Sequence, residues 1–330
     1  MIITVITPVY NRADSIERCM NSVEESIKCL TMNRGGYFDD LEVEHIIVDD
    51  CSKDNTPLIV RQYTENHSWI RFISFSKNKG TNAARNAAIS EAKGEWCVLL
   101  DSDDYFVPSA LETIVKVMQQ HEGYKHYMFA PDDMQPYYEQ NQILKGCKEK
   151  ALLYPDFLNG YIGGDFIHVC NTEILRRHPF DERLRIFEGV FFLMFFKEAQ
   201  QMWFTNEVVT IRERNRSDSV SKDFLRINDN AIKKTILSNE IFLDHFESDL
   251  YKLGMLRRLH EKQLMLLDNY VLVGRYADAE SLISKMGMPA SKKERLLKLM
   301  AKLKCGYIYK LLLKVYLHLK YEILKNKLRT

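Results

Sequence analysis

The sequence predicts an α/β protein whose first half is a mainly parallel sheet with helices on both faces, followed by a C-terminal helical region. Three observations carry this. Short apolar, β-branched runs alternate with helical segments from residue 2 to residue 100. Polar clusters follow the strands at their carboxyl ends, and from about Phe224 only helical periodicity remains. A repeated strand–helix order closes most simply as a parallel sheet, whose ligands bind beyond the carboxyl ends of its strands.

Ile2 to Thr7 is a β-branched run broken by Pro8, the pattern of a buried parallel strand. Ala13 to Leu30 places Ile16, Met20, Val23 and Ile27 on one helical face, with Asp14 or Ser15 as its cap. After a Gly-containing loop at 32–40, Glu44 to Val48 forms a second strand ending in Asp49-Asp50. Asn55 to Asn66 reads as a helix and Ile70 to Phe75 as a third strand. Thr81 to Lys93 is an alanine-rich helix stopped by Gly94, and Trp96 to Leu100 is a fourth strand running into Asp101-Ser102-Asp103-Asp104.

The middle shows a helix at Leu111 to Gln120, strands at Tyr127 to Ala130 and Phe166 to Cys170, and a turn at Gly160 to Gly164. Glu188 to Gln200 forms a very apolar, buried helix, and Arg214 to Lys222 a polar, mobile loop. Lys262 to Met286, centred on Gly274-Arg275-Tyr276, reads as a helical hairpin resembling a single tetratricopeptide unit.

Bulk properties narrow the function. The net charge is +1, but residues 291–330 hold twelve Lys or Arg against two Glu, leaving −9 for the first 290. Positive charge confined to a tail does not fit a nucleic-acid binder. The seven cysteines are scattered without a C-x-x-C pair, which argues against a zinc site or a disulfide framework and for a reduced, cytoplasmic protein. The N-terminus opens on an apolar strand without a basic leader, so no signal peptide is expected. Apolar runs such as Val190 to Phe196 fall short of the roughly 18–20 residues of a membrane span.

Three clusters carry the chemistry. Asp101, Asp103 and Asp104 gather like charge that a hard divalent cation, Mg²⁺ or Mn²⁺, would neutralise while bridging a diphosphate. The plain alternative is a solvated turn capping the helix after Pro108. Asp50 can accept from a nucleobase N–H or a ribose hydroxyl, or simply form a turn with Ser52. In Pro8-Val9-Tyr10-Asn11-Arg12, Pro8 would hold a turn open while Tyr10 offers a flat surface to a base; the alternative is an ordinary strand-to-helix turn. Arg85 faces either phosphate, the acidic cluster or a surface ion pair.

In order and spacing, TPVYNR, VDDCSKDNT, NKGTNAARNAAISEAKGEW and LLDSDD resemble family-2 glycosyltransferases, over residues 1–120 and more loosely over 121–215. The resemblance implies the GT-A fold over 1–222, with a nucleotide-sugar-binding half at 1–120 and an acceptor-side half at 121–222, then a helical region at 223–330. It implies a metal-dependent, inverting transfer from a nucleotide sugar, UDP-sugar by default, to a saccharide or lipid-linked acceptor in bacterial surface polysaccharide assembly. Pro8, Tyr10, Asn11, Asp50, Arg85, Asp101, Ser102 and Asp103 fall at the nucleotide-sugar site, and Asp103 and Asp104 at the metal. Arg214 or Arg216, in the RERNRSDS stretch at 212–219, would touch phosphate.

The family's catalytic base lies in a Glu-Asp pair opening a helix after F-D-E. Here Phe180-Asp181-Glu182 is followed by Glu188-Gly189, so Gly189 stands where Asp is expected. Glu188 becomes the candidate base, its pKa raised by burial, with Asp181 as substitute; the alternative is a first-turn Glu favouring the helix dipole. Two other functions remain: a degenerate nucleotide-sugar-binding scaffold, which Gly189 favours, and a nucleotidyltransferase, which lacks its Gly- and Lys-bearing phosphate loop.

In Tyr307 to Lys325, Lys310, Lys314 and His318 recur every four residues along a wide apolar face. Such a helix suits an anionic membrane surface at 291–330, or packing on protein. The expected location is cytoplasmic, peripheral on the inner face of the cell membrane.

Overall fold

The computed structural model describes residues 1–32, 41–185, 187–213, 229–287, 291–313 and 315–316. The chain divides into two compact units, Met1–Ser217 and Asp218–Thr330.

The first unit opens with β1 (Ile2–Val9), α1 (Ile16–Met32), β2 (Glu42–Asp49), α2 (Thr56–Thr64), β3 (Ile70–Ser74), α3 (Thr81–Glu91) and β4 (Trp96–Leu99). It continues through β5 (Tyr105–Phe106), α4 (Ala110–Gln120), β6 (His126–Ala130), a 3₁₀ turn at Asp132–Met134, α5 (Gln135–Gln140), β7 (Glu149–Leu153) and α6 (Tyr154–Leu158). It ends with β8 (Ile167–Asn171), α7 (Thr172–Arg177), α8 (Gly189–Ala199), β9 (Gln201–Val208) and β10 (Thr210–Ile211).

Eight strands form one sheet in the order β3-β2-β1-β4-β8-β6-β9-β7, while β10 pairs with β5. β1 to β4 are mutually parallel, as are β6 and β9; β8 runs antiparallel to β4 and β6, and β7 antiparallel to β9. The carboxyl ends of β1–β4, β6 and β9 therefore share one edge with the start of β8. The expected mainly parallel sheet is present; β5, β7, β9 and β10 have no counterpart among the strands expected from the sequence.

Pro8 lies inside β1 rather than in the turn after it. Ile6 O accepts from Leu100 N, so alternate β1 residues face β4, and β4 pairs with β1 only as far as Ile6. The missing N–H of Pro8 thus falls past the end of that ladder, where no partner is lost.

The core packs Ile3, Val5, Ile47 and Val98 of the sheet against Ile16, Met20 and Val23 of α1 and against Ile114 of α4. Two buried α1 serines pin β5 and the start of α4: Ser22 Oγ accepts from Phe106 N at 3.0 Å, and Ser26 Oγ from Leu111 N at 2.9 Å. Burial pushes the Cys19 and Cys97 thiols up to about 12, as suits inert core residues.

α3 ends at Glu91 with Ala92 as its cap, short of the stop expected at Gly94, which is instead a glycine because nothing larger fits against β1. A Cβ there would lie 2.6 Å from Thr4 Oγ1, 2.7 Å from Thr4 N and 2.8 Å from Ile2 O. Two of these atoms are β1 backbone, so Gly94→Ala should destabilise the protein by about 1–3 kcal/mol or more, read as a lower urea midpoint at unchanged slope.

The second unit contains α9 (Asp229–Lys252), α10 (Leu256–Val273), α11 (Tyr276–Lys285) and α12 (Lys292–Lys302). Ile232, Ile236, Leu267, Val271, Leu282, Leu297 and Ala301 form its core. Gly274 closes α10 in the left-handed region at φ 75°, so the hairpin expected at 262–286 is formed by α10 and α11.

Candidate functional site

The shared sheet edge assembles the site. Beyond β1 and β2, Asn11 (φ 50°) and Cys51 (φ 65°) both turn in the left-handed region. Asn11 ties the two turns together: its N–H donates to Ser52 Oγ at 2.8 Å, and its Oδ1 accepts from Lys53 N at 2.8 Å. Tyr10, one residue earlier, is exposed at the mouth of the edge.

Asp50 is buried, and both its oxygens accept backbone donors: Lys79 N at 2.6 Å and Gly80 N at 2.8 Å. Its immediate task is to shape the loop entering α3, where Gly80 adopts φ 96°, a value side chains disfavour. Each oxygen keeps a second lone pair for a ligand.

After β4, Asp101 to Asp104 close a tight turn, with Asp104 N donating to Asp101 O at 3.0 Å. Ser102 is buried, and its carbonyl accepts from Ser15 Oγ at 3.1 Å. Ser15 thus anchors this loop instead of capping α1. Arg12 Nη2 lies 3.7 Å from Asp103 Oδ2. Arg18 donates to Asp103 O at 3.2 Å, pairs with Glu213 and lies over the Tyr105 ring at 4.5 Å. Burial first, then Asp101 and Asp103, push the Asp104 carboxyl up to about 8, against the Glu213 N–H, which donates to it, and Arg212.

Among the described residues, no three His, Cys, Asp or Glu side chains converge to hold a metal ion by themselves. The donor set nevertheless fits a hard cation that takes one or two carboxylates and completes its shell with phosphate and water oxygens. An acidic side chain that costs energy to ionise between two like charges is where such an ion gains most.

Arg85 joins this cluster to the far side. Its Nη2 donates to Asp101 Oδ1 at 2.9 Å, and its Nη1 lies 3.5 Å from Glu188 Oε1. Burial disfavours the guanidinium charge, but Asp101 and Glu188 outweigh that and raise its pKa. The candidate base and the first aspartate of the acidic cluster therefore share one cation.

Glu188 sits at the head of α8 without a side-chain cap bond, and its side chain is 24 % exposed. Asp181 is engaged elsewhere: Arg183 Nε and Nη2 hold it at 2.9 and 2.6 Å, and this pairing lowers its pKa. This two-armed grip is tighter than the 3.5 Å contact of Glu188 with Arg85, which leaves Glu188 the more available carboxylate. At Gly189, a Cβ would meet nothing within 4 Å.

Two residues not singled out from the sequence hold this segment in place. Asn82 Nδ2 donates to Asp181 O and Leu184 O, both at 2.9 Å. Asn86 Oδ1 accepts from Phe180 N, and its Nδ2 donates to Phe180 O, both at 2.9 Å. The spacing of Asn82, Arg85 and Asn86 already places them on one helix face; their partners, nearly a hundred residues away, leave no local signal.

Arg212 opens the stretch in which Arg214 or Arg216 was expected to touch phosphate. Its guanidinium sits between Asp133 and Asp165, at 2.6 and 2.9 Å. Arg214 and Arg216 lie outside the described residues.

The chain is 26 % identical over 223 residues to a GalNAc(5)-diNAcBac-PP-undecaprenol β-1,3-glucosyltransferase of Campylobacter jejuni, covering 66 % of this chain and 67 % of that protein. It spans only 29 % and 42 % of the next two curated relatives. Residues 1–349 of S. aureus TarS, solved with UDP, share the fold at a TM-score of 0.57 and 19 % identity, over 96 % of this chain and 92 % of that one. A mannosyltransferase from Pyrobaculum calidifontis, solved with GDP-Man and Mn²⁺, matches at 0.55 and 16 %, over 94 % and 86 %. The fold is that of GT-A enzymes. The model of Glycosyl transferase family 2 matches residues 4–184, more than half of the chain, and the protein belongs to that family.

Proposed function

We propose that the protein transfers a sugar, with inversion, from a UDP-sugar to a hydroxyl of a saccharide or lipid-linked acceptor in bacterial cell-surface polysaccharide assembly. The observation carrying this reading is the Arg85 bridge, in which one cation contacts both Glu188 and Asp101 of the acidic cluster. Relatives named for a lipid-linked glucosyl transfer and for teichuronic acid biosynthesis support the setting. Neighbours solved with UDP and UDP-GlcNAc support the donor class.

In this reading, Pro8, Tyr10, Asn11 and Asp50 line the nucleobase and ribose pocket, and Asp101, Ser102 and Asp103 face the sugar diphosphate. Asp103 and Asp104 would hold Mn²⁺ or Mg²⁺, which when bound supplies positive charge to the departing diphosphate. Arg85 adds a fixed positive charge at the same place. Glu188 takes the proton of the acceptor hydroxyl as that oxygen attacks the anomeric carbon, and the nucleoside diphosphate leaves from the opposite face. Work at an anionic membrane surface, on its cytoplasmic side, would bring the site to a lipid-linked acceptor.

Gly189 favours one other reading, a binding protein without turnover. A thermal-shift screen of UDP-, GDP- and TDP-sugars with and without Mn²⁺ tests the donor assignment. A metal-dependent rise in Tm with UDP-sugars is expected; no metal-dependent stabilisation by any of them would refute it.

A further inference from the structure

α12 is amphipathic on two opposite sides. Glu294, Leu297 and Ala301 are buried in the second unit. Leu296, Leu299 and Leu303 repeat the same spacing two residues further on, about 200° around the helix, and so point outward. Leu299 is 51 % and Leu303 63 % exposed. After the turn at Lys304, the helical residues 306–313 add Tyr307 and Leu311, 71 % and 62 % exposed, while Tyr309 packs on the core.

Of the basic stripe read from the sequence, only Lys310 falls among the described residues. Lys310 Nζ is bonded to Asp229 at 2.6 Å, and Lys314 and His318 lie outside the described residues. Among the exposed cations of this segment, Arg295 and Lys302 lie on one flank of the leucines, and Lys292 lies one turn before Leu296, in line with them.

We propose that the outer face of α12, extended by Tyr307 and Leu311, docks on an anionic bilayer. The leucines enter the acyl boundary, and Lys292, Arg295 and Lys302 meet the phosphate headgroups. Charge selects this occupant. Residues 291–330 carry twelve Lys or Arg against two Glu, so a second copy docked through the same face would set like charges against each other. No helix among the described residues is long and apolar enough to cross a membrane, so the contact is with the surface. This deepens the proposed membrane setting and is tested without turnover, so its failure leaves the catalytic reading standing.

The test is flotation of the full chain with vesicles of phosphatidylcholine alone and of phosphatidylglycerol with phosphatidylcholine. Binding is expected to the anionic vesicles and to be at least about tenfold weaker on the neutral ones. Leu299→Glu with Leu303→Glu should lower anionic binding by about tenfold at unchanged Tm, because both side chains are exposed. Reversing Lys292, Arg295 and Lys302 to Glu should remove the preference for phosphatidylglycerol. The proposal is overturned if the full chain binds neither vesicle, if it binds both equally, or if the leucine variant floats like the wild type. It is equally overturned if that variant splits an oligomer while lipid binding stays unchanged.

Discussion

Replacing Glu188 with Gln is expected to lower kcat by about 10²–10⁴-fold, the usual contribution of a general base, while the affinity for UDP-sugar stays unchanged. The amide keeps the side chain's size at the head of α8 but accepts no proton. Arg85 retains Asp101 at 2.9 Å, so the donor side keeps its main cation contact. Asp181→Asn should leave kcat close to wild type, because Arg183 already occupies that carboxylate. Steady-state kinetics at saturating donor, with UDP affinity measured by calorimetry, separate the two variants. A kcat loss in Asp181→Asn as large as that in Glu188→Gln would remove Glu188 from the role.

Arg85→Ala should act differently, raising the donor KM and lowering kcat together, with kcat/KM falling by about 10²–10³-fold. The change removes the cation between Asp101 and Glu188, leaving two carboxylates to face the incoming diphosphate. Arg85→Lys should rescue little, since an ammonium cannot reproduce the two-armed contact. Because Arg85 and Glu188 act as a unit, the double variant should lose much less than the product of the two single losses. Losses that simply multiply would show that the bridge has no catalytic meaning.

The fold over residues 1–100 was legible because each strand there is a short apolar run bounded by polar residues, and each helix has clear periodicity. The rest of the first unit was harder for physical reasons. A strand's direction is not written in its side-chain pattern, so the reversal of β8 emerges only from its pairing with β4 and β6. β5 spans only two residues and takes its conformation from β10. At the site, residue types and positions were readable but partners were not. Asp50 was expected to face a ligand, yet it first holds the amides of Lys79 and Gly80. Arg212 opens the stretch in which Arg214 or Arg216 was expected to touch phosphate, and its own partners, Asp133 and Asp165, lie far away in sequence. Asn82 and Asn86 give no signal of their own, because two amides in an alanine-rich helix are ordinary until the Phe180–Leu184 segment is laid on them.

Gly189 acquires a clearer meaning from the structure. The sequence marks it as a missing carboxylate, and among the described residues nothing lies within 4 Å of where its Cβ would be. The candidate base is then the residue before it, held by Arg85 rather than by a helix cap.

What matters most is whether this edge carries out sugar transfer or merely binds a nucleotide. UDP release from UDP-sugars by the full chain decides it, measured with Mn²⁺ and with bacterial membranes supplying glycan acceptors, and set beside Glu188→Gln. Acceptor-dependent UDP release by the wild type and its loss in the variant are expected, with UDP binding equal in both. UDP binding without release by the wild type, or equal release by both proteins, would contradict sugar transfer through Glu188.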